Sequence, residues 1–466
     1  MIRASIIIPT CNRAEWLNTT IQSIIAQECP TSEYEILIAD NGSKDNTKEV
    51  IEELILKHPS YNIKYLYEKE PGSMSARHCG ALQAKGNIFI FIDDDVEVGE
   101  DWLTAISEAF GDASVHLVGG PSIPKFDTSP PDWISNYCKV ENGRVTCGHL
   151  SLLDIGDKKI DINSIYIWSL NFAIRKKTFF EAGGFHPCVI PKKLQHFQGD
   201  GETGLSLKIK EMGYKAAYDP RVKVLHYIPR ERLTVSFFEG RNYYQGVCDS
   251  YTQIRKNNGL SNIKIPDYHI FEQFSPNIPV YDQYKQIIYK RIHNAYVDGF
   301  LFHQEAVRKS KTLLKWVLKE DYFNYRLPEL DPQEQQQIQE VRDHIQKRST
   351  QPQWPQATAQ DMFKEAFNLI NSDDIVTALS KLDTIVHQYP NMPKVNLTRA
   401  LCLSALARPQ EAVRAAIAEL TIQPDNKQAV DILLKNQQVL LEEMKTASRT
   451  TVQFVERVLK SRFNQV

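Results

Sequence analysis

Apolar and polar positions alternate in blocks over the first 120 residues of the chain. Apolar runs rich in Ile and Val have the length of buried strands, at 4–9, 34–40, 62–67 and 87–92. Amphipathic segments of helical period lie between them, at 14–27, 45–57 and 73–84. This alternation is typical of βαβ units around a mainly parallel sheet, so the pattern predicts an α/β fold.

Polar residues collect where three of these predicted strands end. Pro9 and Thr10 close the first strand, Asp40 and Asn41 close the second, and 93–95 follow the fourth. In open α/β sheets the ligand crevice lies outside the carboxyl ends of the strands. We therefore expect these residues to line one binding site.

The third of these clusters is an acidic triplet, Asp93, Asp94 and Asp95. Adjacent carboxylates repel each other, and a bound cation is the simplest compensation. Mg²⁺ and Mn²⁺ take hard oxygen ligands from one or two carboxylates and fill their other positions with water and substrate phosphates. The alternative is a solvated acidic turn that caps a helix beginning near Glu100. Taken alone, the triplet leaves both interpretations open.

The second half of the chain is mostly helical, with a polar, proline-containing stretch at 349–358 that is typical of a linker. We expect a catalytic domain over 1–255, a helical extension over 256–348, and an all-α region over 359–466.

The all-α region contains an internal repeat, because 361–394 can be laid over 395–428 at an offset of 34 residues. The offset pairs residues of the same type, namely Ala366 with Ala400, Leu369 with Leu403, Ala378 with Ala412, and Pro390 with Pro424. This period resembles the tetratricopeptide repeat, with a helix over 428–444 as its cap, and would imply a protein partner. An unrelated helical bundle is the alternative.

The composition of the chain bears on its binding partners and on its location in the cell. Lys and Arg number 55 against 57 Asp and Glu, a formal net charge of −2, so no basic field favours nucleic acid. The apolar runs are far shorter than a transmembrane segment, and the N-terminus lacks a signal-peptide core. We expect a cytoplasmic protein, or one held peripherally at the inner face of the membrane.

Several motifs, in order, make 4–250 resemble the family 2 glycosyltransferases, whose nucleotide-sugar-binding fold is called GT-A. They include Ser5-Ile-Ile-Ile-Pro-Thr-Cys-Asn-Arg13, Glu35-Ile-Leu-Ile-Ala-Asp-Asn-Gly-Ser-Lys-Asp-Asn-Thr47, and Pro71-Gly-Ser-Met-Ser-Ala-Arg-His-Cys-Gly-Ala81 before the acidic triplet. The resemblance implies a nucleoside-diphosphate sugar as donor, by default a UDP-sugar. It also implies Mn²⁺ or Mg²⁺ as cofactor.

The resemblance further implies roles on the donor side. Pro9, Thr10 and Asn12 would border the nucleotide, Asp40 would bind the nucleoside base or ribose, and Arg77 would lie near the nucleotide.

Within the triplet, Asp93 and Asp95 would form the family's DxD pair. Asp95 would contact the metal, and Asp93 would serve the ribose or a metal-bound water. Asp94 would be the spare carboxylate, and a shift of one residue would bring it into the binding role. His226 resembles a further metal ligand of some members, although a histidine at a strand end is also commonly a plain surface residue.

The last motif, Gly199-Asp-Gly-Glu-Thr-Gly-Leu-Ser-Leu-Lys-Ile-Lys-Glu-Met-Gly-Tyr214, resembles the segment that carries the family's catalytic base. Its register favours Glu202 as the base, with Asp200 as a rival. A carboxylate suits this role, because an acceptor hydroxyl must lose its proton as it attacks the sugar. The alternative is an acidic residue stabilised by a helix N-terminus.

The resemblance implies an inverting transfer to a hydroxyl of a saccharide or lipid-linked saccharide, in polysaccharide or glycoconjugate synthesis. Two other functions are the alternatives. A nucleotidyltransferase would need a glycine-rich, basic loop after the first strand, which 9–13 does not provide. An inactive nucleotide-binding scaffold acting through the repeats would not need the acidic positions that are present.

Overall fold

The computed structural model describes residues 3–267, 280–323, 326–350, 356–389, 392–423, 426–436 and 439. The strands of this part are β1 (Ala4–Thr10), β2 (Tyr34–Asp40), β3 (Ile63–Tyr67), β4 (Ile88–Ile92), β5 (Val96–Val98), β6 (Val115–Gly119), β7 (Ser122–Phe126), β8 (Lys139–Glu141), β9 (Arg144–Thr146), β10 (Ile160–Asp161), β11 (Asn171–Arg175), β12 (Lys215–Tyr218) and β13 (Val224–Ile228).

The helices are α1 (Ala14–Ile25), α2 (Thr47–Lys57), α3 (Ser73–Gln83), α4 (Trp102–Ala109), α5 (Lys176–Glu181), α6 (Glu202–Glu211), α7 (Val235–Lys256), α8 (Val280–Lys309), α9 (Lys311–Val317), α10 (Pro332–Thr350), α11 (Gln356–Asn371), α12 (Ile375–Gln388), α13 (Val395–Ala405), α14 (Pro409–Ile422) and α15 (Lys427–Lys435). The strands and helices predicted in the first 100 residues differ from these bounds by at most two residues at either end.

An eight-stranded sheet runs in the order β10-β12-β6-β11-β4-β1-β2-β3. Strands β3, β2, β1 and β4 are parallel, and β12 is parallel to β6, whereas β11 is antiparallel to both β4 and β6. A smaller sheet pairs β13 with β5 and β7. The α/β prediction is therefore confirmed: the sheet is mixed and mostly parallel, and a helical region follows it.

Both faces of the large sheet are covered by helices. In β1, Ile6 and Ile8 face the core shared with α1 and α4, while Ile7 faces the opposite core shared with α3. A strand that is buried on both faces needs apolar residues at successive positions, which is why the sequence shows continuous runs rather than alternation.

The parallel register aligns the strand ends. Thr10 of β1 is paired with Asp40 of β2, and Ile7 of β1 is paired with Phe91 of β4. The residues that follow β4 consequently emerge beside the end of β1. The three predicted polar clusters therefore lie at one edge of the sheet.

Helix α8 packs along α7, and two glycines let their backbones approach closely. A Cβ atom at Gly246 would lie 1.9 Å from the carbonyl oxygen of Tyr296, and one at Gly299 would lie 1.9 Å from that of Tyr243. The contact between α7 and α8 therefore requires glycine at both positions.

Gly246→Ala is expected to destabilise the protein by about 1–3 kcal/mol, because overpacking a tight contact forces backbone to move. Gly240→Ala in the same helix is the matched control, since nothing lies within 4 Å of its added methyl group. That control should gain about 0.5–1 kcal/mol from the lower entropy of the unfolded chain. Urea unfolding of both variants checks this, and equal effects would contradict the close approach.

In the C-terminal region, α11 to α15 pack in succession, and the small residues of the repeat are buried between them. Ala366, Ala378, Ala400 and Ala412 are each fully buried. This region is helical, as predicted, and its tetratricopeptide character stays a prediction. Pro390, Pro424, residues 351–355 of the predicted linker, and most of 437–444 lie outside the described residues.

Among the described residues, no helix combines the length and the apolar character that a bilayer span requires.

Candidate active site

Asp93 lies at the edge of the sheet, on the partly exposed side of the acidic triplet. Its carboxylate forms an ion pair with the guanidinium of Arg77, whose side chain is only 3% exposed. Arg77 belongs to α3, so this helix is tied to the first residue after β4.

Asp94 is buried and takes part in the packing between β1 and β4. Its carboxylate accepts hydrogen bonds from Thr10 Oγ1 at 2.7 Å and from Arg13 Nη1 at 3.3 Å. Its backbone oxygen accepts from Thr20 Oγ1 of α1 at 2.9 Å. Burial raises the pKa of Asp94, and the Arg13 guanidinium offsets only part of that rise.

Asp95 is the carboxylate on which the cationic side chains converge. Its Oδ2 accepts hydrogen bonds from Arg13 Nη1 at 2.5 Å and from Arg232 Nη2 at 2.8 Å. His226 Nε2 lies 3.7 Å from Asp95 Oδ1 and 2.9 Å from Arg232 Nη1. Burial alone would raise the pKa of Asp95, but His226, Arg232 and Arg13 outweigh it and hold that pKa below its usual value.

The residues around Asp95 fit a divalent cation that takes few protein ligands. Asp95 Oδ1 is buried and has no hydrogen-bond partner among the described residues, and His226 Nε2 lies 3.7 Å from it. Burial lowers the pKa of His226, which favours the neutral ring that a metal needs. Within the described part, no three His, Cys, Asp or Glu side chains form a metal cluster. Water and phosphate oxygens would complete such a site, as is usual for Mg²⁺.

At the end of β2, both carboxylate oxygens of Asp40 accept hydrogen bonds. Oδ1 accepts from the Ser43 backbone N–H at 2.8 Å, and Oδ2 accepts from the Tyr65 hydroxyl at 2.9 Å. Asn12 has a left-handed φ of 54°, and its Oδ1 accepts from the Lys44 N–H at 2.7 Å. Asp40 and Asn12 thus fix the two loops that border the strand ends.

The two candidate bases differ sharply in environment. Glu202 is the first residue of α6, is half-buried, and forms no hydrogen bond or ion pair within the described part of the chain. Asp200 is buried, and its oxygens accept from His186 Nδ1 at 2.6 Å and Thr252 Oγ1 at 2.7 Å. Of these two carboxylates, Glu202 is the one without a hydrogen-bond partner in the described part of the chain.

Helix α3 links the acidic triplet to this second region. Arg77 contacts Asp93, and its Nη1 lies 3.9 Å from the sulfur of Met74, one turn earlier. The methyl group of Met74 lies 3.2 Å from where a Cβ atom of Gly201 would stand. The residue before Glu202 and the residue after β4 therefore contact the same turn of α3.

Several residues of this site were not assigned from the sequence. Arg13 and Arg232 hold Asp95, while His186 and Thr252 hold Asp200. Arg13 lies in the loop that follows β1, at the edge where the polar clusters meet, so its charge and its position in the sequence could have identified it as a site residue.

Known proteins resemble the part of the chain that contains the acidic triplet. Residues 5–179 match the family described as Glycosyl transferase family 2. This part of the chain is therefore similar to a family 2 glycosyltransferase domain. The match includes β1, α3 and the acidic triplet, and it ends in α5, before Glu202.

Two curated relatives carry glycosyltransferase names. The glycosyltransferase AglE of Haloferax volcanii is 34% identical over 116 residues, which are 25% of this chain and 38% of that protein. The GalNAc(5)-diNAcBac-PP-undecaprenol beta-1,3-glucosyltransferase of Campylobacter jejuni is 31% identical over 127 residues, 27% of this chain and 40% of that protein. The alignments thus span less than half the length of either relative.

A similar solved structure is that of a mannosyltransferase from Pyrobaculum calidifontis in complex with GDP-Man and Mn²⁺. It has 15% identity and a TM-score of 0.41, with 90% of this chain and 87% of that chain covered.

Proposed function

We propose that this glycosyltransferase domain moves a sugar from a nucleoside-diphosphate sugar to an acceptor hydroxyl, with inversion at the anomeric carbon. The observation that carries the proposal is the arrangement along α3. This helix contacts both the carboxylate cluster at the strand ends and the loop that presents Glu202. A donor diphosphate held at the cluster would extend its sugar toward Glu202.

On the donor side, Asp95 with His226 would hold Mn²⁺ or Mg²⁺, and Asp93 would serve the ribose or a metal-bound water. Such an ion supplies positive charge to the departing diphosphate when it is bound. Arg13 and Arg232 converge on Asp95 from two other elements and would add to that charge. Asp40 would bind the nucleoside, with a UDP-sugar as the default donor.

On the acceptor side, Glu202 would take the hydroxyl proton as the oxygen attacks the anomeric carbon. Its half-buried carboxylate has no competing partner in the described residues, so it needs no rearrangement before it accepts a proton. Glu202 is the acidic residue in the first turn of α6, at the helix N-terminus, which attracts negative charge.

The acceptor class is a saccharide or a lipid-linked saccharide in polysaccharide or glycoconjugate synthesis. The name of the Campylobacter relative, which refers to an undecaprenol-linked glycan, supports the lipid-linked form. Such an acceptor would be met by a protein held peripherally at a membrane from the cytoplasm. The buried alanines at a 34-residue spacing support tetratricopeptide-like packing, through which α11 to α15 would bind a protein partner.

Thermal unfolding with nucleotide sugars tests donor binding. A ligand at 100 times its Kd stabilises the native state by about 2.7 kcal/mol. We expect one donor to raise the melting temperature in the presence of Mn²⁺ or Mg²⁺, and to lose most of that effect in EDTA. Absence of protection by every donor would favour the inactive scaffold instead.

A further inference from the structure

The loop before Glu202 is fixed residue by residue. The N–H of Gly199 donates to the Pro187 carbonyl at 2.8 Å, and the N–H of His186 donates to the Gly201 carbonyl at 3.0 Å. The Asp200 side chain between them accepts from the imidazole of His186 and the hydroxyl of Thr252. His186 therefore holds the loop twice, through its backbone and through its ring.

Space for the His186 ring comes from a missing side chain in α6. A Cβ atom at Gly204 would lie 2.1 Å from His186 Nδ1 and 2.6 Å from Asp200 Oδ1. Only glycine at this position lets the imidazole and the carboxylate meet beneath the first turn of the helix that begins with Glu202.

The pair is backed by residues far away in the chain. The His186 ring lies between the rings of Tyr251 and Tyr322, with centroids 5.5 and 5.4 Å away. The hydroxyls of these tyrosines are hydrogen-bonded at 2.6 Å, and the Tyr322 hydroxyl lies 2.6 Å from the carbonyl of Trp316. Trp316 Nε1 in turn donates to the Phe197 carbonyl at 2.9 Å. The extension thus packs directly behind the loop.

The pKa shifts of His186 and Asp200 are consistent with a structural role for this hydrogen-bonded pair. Burial lowers the pKa of His186, and the neighbouring Asp200 offsets part of that shift. Burial would raise the pKa of Asp200, but His186 and Thr252 outweigh it, so the carboxylate stays ionised. Arg255 and Lys208 are further charged groups near the pair, and Asp249 also interacts with Asp200.

We propose that Asp200, together with His186 and Thr252, is a positioning residue that fixes the Gly201 peptide and thereby aims Glu202 at the acceptor. This inference rests on the proposed function. Asp200 itself is buried and enclosed by its two donors. It therefore holds the neighbouring base in place.

Asp200→Asn is expected to lower kcat by about 10- to 100-fold, because a misplacement of about 1 Å in a reacting group can cost about 100-fold in rate. The KM for the donor should stay unchanged. The fall of kcat at low pH, the acid limb of its pH profile, should also persist, because Glu202 is still present as the base. Loss of that acid limb would make Asp200 the base. A full rate would remove its positioning role.

Thr252 offers a second test that keeps the charge of Asp200. Thr252→Val, which has nearly the same shape without the hydroxyl, should lower kcat in the same manner, and Thr252→Ser should restore it. Equal rates for the two variants would overturn the proposal. The exposed Glu211→Gln, at the far end of α6, is the control for general effects on this helix.

Hydrogen exchange separates this inference from the transfer reaction. The amides of 199–203 should exchange faster in Thr252→Val than in the wild-type protein and Thr252→Ser, whether or not a donor has been found. Unchanged exchange would overturn the positioning role even in an active enzyme. Faster exchange in a protein that cleaves no donor would support the loop anchor and reject the proposed function.

Discussion

Glu202→Gln is expected to lower kcat by about 100- to 10,000-fold, the range that general base catalysis contributes. The amide keeps the size of the side chain but cannot accept the acceptor proton. Because Glu202 has no partner within the described chain, the substitution should leave the fold intact. Steady-state release of nucleoside diphosphate gives kcat, and circular dichroism checks the fold.

Glu211→Gln is the control here too, because it makes the same chemical change at the other end of α6. It should keep the wild-type rate. If Glu202→Gln keeps that rate while Asp200→Asn loses all activity, the base has been assigned to the wrong carboxylate.

Asp95→Ala is expected to lower kcat/KM by about 100- to 1000-fold, which is the effect of removing one electrostatic group that stabilises developing charge. It should also abolish the metal-dependent part of the thermal protection by donor. Among the described carboxylates, only Asp95 has a buried oxygen, Oδ1, without a hydrogen bond, and His226 Nε2 lies 3.7 Å from it. We therefore expect the metal to bind at this oxygen. Arg13 would keep its contact with Asp94.

Glu100→Ala is the matched control for Asp95→Ala. It removes a carboxylate from the same segment, but from an exposed position. Its kinetics and its response to EDTA should equal those of the wild-type protein. Normal metal dependence in Asp95→Ala would instead move the cation site to another carboxylate.

The parallel sheet could be predicted from the sequence because its inner strands are buried on both faces. Such strands need apolar residues at most successive positions, so β1, β2 and β4 are visible as Ile-rich runs, in which Ser5 and Glu35 are buried polar exceptions. The position of the site could be predicted as well, because the carboxyl ends of parallel strands lie at the same edge of the sheet. Thr10 is paired with Asp40, and the triplet emerges beside them.

The supports of the site could not be predicted in the same way. Arg232 reaches Asp95 across 137 positions of sequence, and Tyr322 reaches Tyr251 across 71. Such contacts depend on how separate helices and strands pack against each other. The local spacing of apolar residues in the sequence does not reveal that packing. The network beneath Glu202 also depends on the absence of a side chain at Gly204, and a glycine inside a helical pattern does not reveal what fills its space.

The domain boundary placed at residue 255 stays a prediction. That position lies one residue before the end of α7. Arg255 donates to the carbonyls of Val317 and Lys319, at 2.6 and 2.7 Å. The helical extension is therefore in direct contact with the helix that carries Thr252.

The most direct test of the central claim is nucleoside diphosphate release from a panel of nucleotide sugars with Mn²⁺, comparing the wild-type protein with Glu202→Gln. Our account predicts that at least one donor is cleaved by the wild-type protein, that EDTA stops the release, and that Glu202→Gln retains donor binding with little turnover. Release that is equally fast in Glu202→Gln, or no release from any donor, would contradict it.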